Sequence, residues 1–122
     1  MKDVVISLGS NAGIDRKRLI QMGISRLSSV INHVVVSSIY ETAALGGGEA
    51  YLNAVMKGKC EYEADELTGL FKKIEIECGR NEECRRKGVV PLDLDIVIYD
   101  NHIVREKDYR CEFFRIGYNE IQ

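Results

Sequence analysis

The segment PLDLDIVIYD, Pro91 to Asp100, combines the pattern of a buried strand with two carboxylates. A strand has a side-chain period of two, so Leu92, Leu94, Ile96 and Ile98 are expected on one face and Asp93, Asp95, Val97 and Tyr99 on the other. The carboxylates then share a face about 7 Å apart, a spacing at which one divalent cation or a pair of them relieves their repulsion. The competing reading is a solvated or edge face, on which aspartates discourage strand pairing.

The segments before it supply partners for such a strand. DVVISLGS, Asp3 to Ser10, is a short apolar strand that stops at Gly9-Ser10-Asn11. From Asp15 to Val30, Leu19, Met22, Ile24, Leu27 and Val30 recur at helical spacing, with Asp15 as cap or first-turn acid. HVVVSSIYET, His33 to Thr42, is β-branched and aromatic and reads as a strand. The three glycines of ALGGGEA, Ala44 to Ala50, form a flexible connection into a further strand, YLNAVMKGKC, Tyr51 to Cys60. Leu67, Leu70, Phe71, Ile74 and Cys78 make the apolar stripe of a helix over Asp65 to Cys78. The charged stretch from Gly79 to Gly88 reads as a loop that ends this pattern. The order β-α-β-β-α-β is that of a ferredoxin-like α+β fold, an antiparallel sheet with helices packed on one face and the other face open to ligand.

The 122 residues, 45% hydrophobic and 30% charged, suit one compact domain over 1–122 with a single site. Seventeen basic against nineteen acidic residues give a net charge of -2. This balance supplies no general attraction to nucleic acid or anionic membrane, and an anionic substrate has to be met by a local basic patch. Lys2 and Asp3 lead directly into the first strand without a long apolar run, and a cytoplasmic location is expected. Cys60, Cys78, Cys84 and Cys111 form no tight pair, and with only His33 and His102 they make no zinc pattern. Cys60 and Cys78 are expected in the core.

The segments ISLGSN (Ile6 to Asn11), SSIYET (Ser37 to Thr42), YLNAV (Tyr51 to Val55), IEIECGR (Ile74 to Arg80) and PLDLDIVIYD, in this order and spacing, resemble successive motifs of the 6-hydroxymethyl-7,8-dihydropterin pyrophosphokinase family. The likeness covers nearly the whole chain, and LDLDI is its most specific piece. It implies a ferredoxin-like domain that moves the pyrophosphoryl group of ATP to the primary hydroxyl of the pterin, with Mg2+. Carried residue by residue, it makes Asp93 and Asp95 the magnesium ligands. It makes Thr42, Leu45 and Asn53 pterin-lining residues, Tyr51 and Phe113 the aromatics that sandwich the flat ring, and Glu75, Arg80, Arg86 and Lys87 ATP-facing residues. Arg80 and Arg86 are the arginines expected to act in transfer beside the two aspartates.

The chain also departs from the family pattern. Glu82 and Val90 stand where arginines are usual, and Lys87 replaces a tryptophan. The histidine-bearing segment that normally comes after the acidic strand is missing, Cys111 falls where an arginine is expected, and the loop at ALGGGEA is short. Arg110 or Arg115 is a candidate to compensate, with Arg85 adding charge nearby. These departures leave a second reading, a noncatalytic pterin-binding or assembly module without the full ATP clamp.

Overall fold

A computed structural model describes residues 1–122. Its elements run β1 (Lys2–Ser10), a 3-10 turn (Gly13–Asp15), α1 (Arg16–Leu27), β2 (Asn32–Val36), β3 (Tyr40–Thr42), β4 (Tyr51–Cys60), α2 (Ala64–Glu77), α3 (Glu82–Lys87), β5 (Asp93–Tyr99), β6 (His102–Ile103), α4 (Glu106–Arg110) and α5 (Glu112–Ile121). The sheet order is β2-β4-β1-β5-β6, with β3 also paired to β4, and every pairing is antiparallel. This is the ferredoxin-like α+β arrangement the element order predicts. No helix is long and apolar enough to cross a membrane.

The main core lies between one sheet face and the two long helices. Val4, Ile6 and Leu8 of β1, Ala54 and Met56 of β4, and Leu94 and Ile96 of β5 meet Leu19, Ile20 and Leu27 of α1 and Leu67, Phe71 and Ile74 of α2. Cys60 and Cys78 are buried in this layer, as their neighbourhoods predict. The N-terminus of α2 is fixed by Glu66, whose carboxylate accepts the Glu63 backbone N–H at 3.0 Å.

Three differences from the sequence reading matter for the site. The strand expected over His33 to Thr42 is interrupted, because Ser37 turns its hydroxyl inward to accept the Val55 N–H at 2.9 Å and breaks the ladder between β2 and β3. Strict alternation along the acidic strand also fails. β1 pairs Ile6 with Ile96 and Val5 with Ile98, so Val97 is an extra residue, and this bulge reverses the facing of Ile98 and Tyr99. Ile98 consequently joins Val97 on the carboxylate face, while Tyr99 packs on the helix face instead of beside the aspartates.

The third difference is the tail, for which the sequence reading assigned no element. Glu112–Ile121 forms α5, and Phe114, Gly117 and Ile121 on its inner side are buried. Phe114 and Ile121, with Val5, Val55 and Val97, make a second, smaller core on the face opposite α1 and α2, so a helix covers part of the face expected to be open. The spacing of these residues, with Tyr118 packed beside them, is an ordinary amphipathic signal.

Candidate functional site

The sheet register sets the first level of the site. Asn53 on β4 pairs with Gly9 on β1, and Gly9 pairs with Asp93 on β5; one step along, Val55, Ser7 and Asp95 form the next row. Asn53 and Asp93 therefore face the same way from strands two spacings apart, about 10 Å. Gly9 contributes no side chain between them. A Cβ at Gly9 would come to 3.4 Å from the Tyr51 ring and 3.8 Å from Asn53 Oδ1, so its glycine leaves the floor open.

A cavity of about 210 Å³ stands on this floor and is lined by Gly9, Thr42, Leu45, Tyr51, Asn53, Asp93 and Phe113 among others. All five residues expected around a pterin are thus brought together. Asn53 is only 3% exposed; its Nδ2 donates to Thr42 Oγ1 at 2.8 Å and to the Tyr40 carbonyl at 3.3 Å, and its Oδ1 takes no protein donor. Leu45 is 71% exposed, on the connection in which Gly46, Gly47 and Gly48 all adopt positive φ. Burial raises the Tyr51 phenol above its usual pKa, with the Asp93 charge adding to the shift.

A second cavity, about 540 Å³, lies on the other side of Asp93 and is lined by Lys72, Glu75, Arg80, Glu82, Arg85, Asp93 and Asp95 with the 88–90 backbone. Arg80 Nη1 serves three acceptors at once, Asp93 Oδ1 at 3.1 Å, the Leu92 carbonyl at 3.3 Å and Glu75 Oε2 at 3.2 Å. Its Nε and Nη2 make no protein hydrogen bond. Glu75 is buried, and its Oε2 also accepts the Leu94 N–H at 2.9 Å, which ties α2 to the start of β5. Burial pushes the Glu75 carboxyl above its usual pKa.

The aspartates are half-buried, at 42% and 26% side-chain exposure for Asp93 and Asp95. Asp95 is pushed up to about 7, first by burial and then by the Asp93 charge, with Arg105 opposing. The carboxylate repulsion expected from the sequence is therefore present. Two carboxylates fit a hard cation that takes its other ligands from water and phosphate oxygens, and no third His, Cys, Asp or Glu joins them in a cluster.

The charged stretch read as a loop contains a short helix, and this sorts its basic residues. Asn81 caps α3 by accepting the Cys84 N–H at 2.9 Å, and Gly88 ends it in the left-handed region. Helical spacing turns Glu82 and Arg85 toward the cavity. Arg86 is exposed and does not line it, and Lys87 pairs with Glu83 at 3.0 Å. Arg110 pairs with Glu106 at 2.8 Å, and Arg115 lies 4.8 Å over the Tyr109 ring, so neither reaches either cavity.

Besides Lys72 of α2, two contributors have no counterpart in the sequence reading. Asn11 holds the 88–90 wall through its backbone N–H to Val90 O at 3.0 Å, its Nδ2 to Gly88 O at 3.1 Å, and its Oδ1, which accepts the Val90 N–H. Arg105, just after β6, sits 3.7 Å from Asp95 Oδ1 and pairs with Asp108. It also lines a third cavity of about 200 Å³ with Thr68, Phe71 and Asp95. A basic residue beside the acidic strand was the available signal, but its side of the fold depends on the β6 turn.

The profile of the 7,8-dihydro-6-hydroxymethylpterin-pyrophosphokinase family matches residues 5–122. The chain is 35% identical over 109 residues to the 2-amino-4-hydroxy-6-hydroxymethyldihydropteridine pyrophosphokinase of Aquifex aeolicus, covering 88% of this chain and 67% of that protein. It is 36% identical over 106 residues to the Haemophilus influenzae protein of the same name, covering 84% and 65%. A folate synthesis bifunctional protein of Arabidopsis thaliana is 38% identical over 112 residues, 87% of this chain and 22% of that one. The chain thus spans about two thirds of the bacterial relatives and about a fifth of the plant protein. With its fold, its LDLDI strand and a match from residue 5 to its end, the chain belongs to the 7,8-dihydro-6-hydroxymethylpterin-pyrophosphokinase family.

Proposed function

We propose that this chain transfers the pyrophosphoryl group of ATP to the hydroxymethyl oxygen of 6-hydroxymethyl-7,8-dihydropterin, giving AMP and the pterin diphosphate for folate synthesis. The observation that carries this reading is the position of Asp93, which lines both cavities. A small chamber with aromatic walls and an amide is placed against a larger one lined by charge, and Asp93 stands where their contents meet, with Asp95 beside it in the larger one.

In this reading the pterin ring lies over Gly9 between Tyr51 and Phe113. The Asn53 Oδ1, which has no protein donor, accepts from the ring edge, while Thr42 holds the amide in its orientation. The triphosphate enters the larger cavity, where the free Nε and Nη2 of Arg80, with Arg85 and Lys72, meet its oxygens. Arg105 approaches from the other side of Asp95. Asp93 and Asp95 hold Mg2+, which when bound neutralises phosphate charge and favours charge build-up on the leaving oxygen. The pterin hydroxyl oxygen bonds to the β-phosphorus, the bond from that phosphorus to the α-phosphate oxygen breaks, AMP leaves with the electron pair, and the hydroxyl proton passes to solvent. Positioning and electrostatics carry the step, and no protein base is assigned.

The test is incubation of the purified chain with the reduced hydroxymethylpterin, ATP and magnesium, with chromatography of the products. AMP and pterin diphosphate are expected in equal amounts. Tight pterin binding without AMP would instead favour a pterin-binding module, a reading that the outward-facing Arg86 and Lys87 support.

A further inference from the structure

We infer that Tyr40 is a positioning residue that, from outside the small cavity, ties together two of its lining residues, Asn53 and Phe113, and sets them relative to each other. The inference rests on the pterin reading of that cavity, but the geometry belongs to the fold. Tyr40 lies on β3 opposite Asn53, and its backbone carbonyl accepts the Asn53 Nδ2. Its side chain reaches to α5, where the phenol donates to the Phe113 carbonyl and accepts the Gly117 N–H at 3.0 Å. One residue outside the chamber is therefore bonded both to its lining amide and to the backbone of its lining aromatic.

The packing around the phenol brings α5 close against β3 and β4. A Cβ at Gly117 would come to 2.7 Å from the Tyr40 oxygen, 2.7 Å from Val55 Cγ2 and 3.0 Å from Ser37 Oγ, so only glycine allows the helix this close. Burial pushes the Tyr40 phenol up to about 12, and it remains a donor throughout the neutral range. A second attachment lies farther along the helix, where Glu120 accepts the Ser38 N–H and hydroxyl, each at 2.8 Å. That attachment docks α5 without touching Phe113, which separates docking from positioning.

The discriminating experiment measures dissociation constants of the hydroxymethylpterin and of ATP by calorimetry, with KM and kcat, for Tyr40→Phe, Gly117→Ala and Glu120→Ala. Tyr40→Phe keeps the ring and removes both phenol bonds. It is expected to weaken pterin binding and raise the pterin KM by about tenfold, leaving ATP affinity and kcat within about twofold. Gly117→Ala, which forces the helix off the phenol, should move the pterin constants in the same direction. Glu120→Ala should lower Tm and leave the pterin constants in place. The inference is overturned if Tyr40→Phe binds pterin normally, or if Glu120→Ala weakens pterin binding as much as Tyr40→Phe does. A wild-type chain that binds no pterin at all would overturn the functional reading together with the inference, and that result is distinct from either pattern among the variants.

Discussion

The smaller cavity is walled by neutral groups bonded to one another on paired strands, whereas the larger is walled by charged groups on a short helix and loops. Asn53, Thr42 and Tyr40 are held by strand register and by mutual hydrogen bonds. Arg85, Glu82 and Lys72 line their cavity without an ion pair, whereas Arg80, Glu75 and Asp93 are anchored to one another. A preformed neutral pocket recognises shape and the edge of a ring, and a loosely held charged one gathers phosphate and orders on binding. Asp93 is the wall they share, and changes there and on either side should have unequal effects.

The largest effect is expected at the shared wall. Asp93→Asn with Asp95→Asn should lower turnover by about 10² to 10³-fold, since the several kcal/mol that a held cation supplies is lost. Both side chains are half-buried on a face outside the main core, so a single cooperative thermal transition should remain. Full activity of the double variant under limiting magnesium would remove the aspartates from the mechanism.

A smaller and one-sided effect is expected at Asn53. Asn53→Leu leaves the ring edge and the Thr42 hydroxyl unpaired, at a cost of about 1 to 3 kcal/mol in pterin affinity. Separate calorimetric titrations should show the nucleotide constant unchanged. Loss of ATP affinity with normal pterin affinity would exchange the assignments of the two cavities.

Arginines 85 and 86 test the charged side. The family likeness selects Arg86, while the geometry turns Arg85 inward and leaves Arg86 outside. Arg85→Ala is expected to weaken ATP binding by about three- to tenfold, with Arg86→Ala changing it by less than about twofold. Titrations at low and high salt would separate a direct contact from a general field, because the latter is screened. An Arg86 effect larger than that of Arg85 would mean that α3 rotates or unwinds when nucleotide binds.

This pair of residues also marks where the sequence is readable and where it is not. Strand positions were legible because a period of two fixes faces, and Asn53, Tyr51 and Asp93 converge as that period requires. The alternation held until the bulge at Val97, an inserted residue that no periodicity announces, and it misplaced Ile98 and Tyr99. In Gly79 to Gly88 the dense charge obscured a helix specified by the Asn81 cap and the Gly88 stop, and without the helix Arg85 and Arg86 look equivalent. Arg105 reaches the site, and Tyr40 reaches Phe113, only through the β6 turn and the α5 docking, which are tertiary facts.

The smallest effect is the pH dependence that Asp95 contributes. Its carboxyl is pushed up to about 7 in the fold, above the ordinary carboxylate value near 3.9, because burial and the Asp93 charge oppose ionisation more than Arg105 assists it. A native state that holds the extra proton between these two values is favoured at the acidic end of that window. Its stability from this group falls as pH rises from about 4 to about 7 and then levels off. Asp95→Asn removes the ionisation, so in chelator the variant should gain Tm over the wild type by about 2 to 5 °C at pH 8 and by less at pH 5. Magnesium should reverse the order at pH 8 by stabilising only the carboxylate form. A difference between wild type and variant that is the same at both pH values in chelator would mean that Asp95 is already ionised across the range, and that Arg105 outweighs burial and the neighbouring charge.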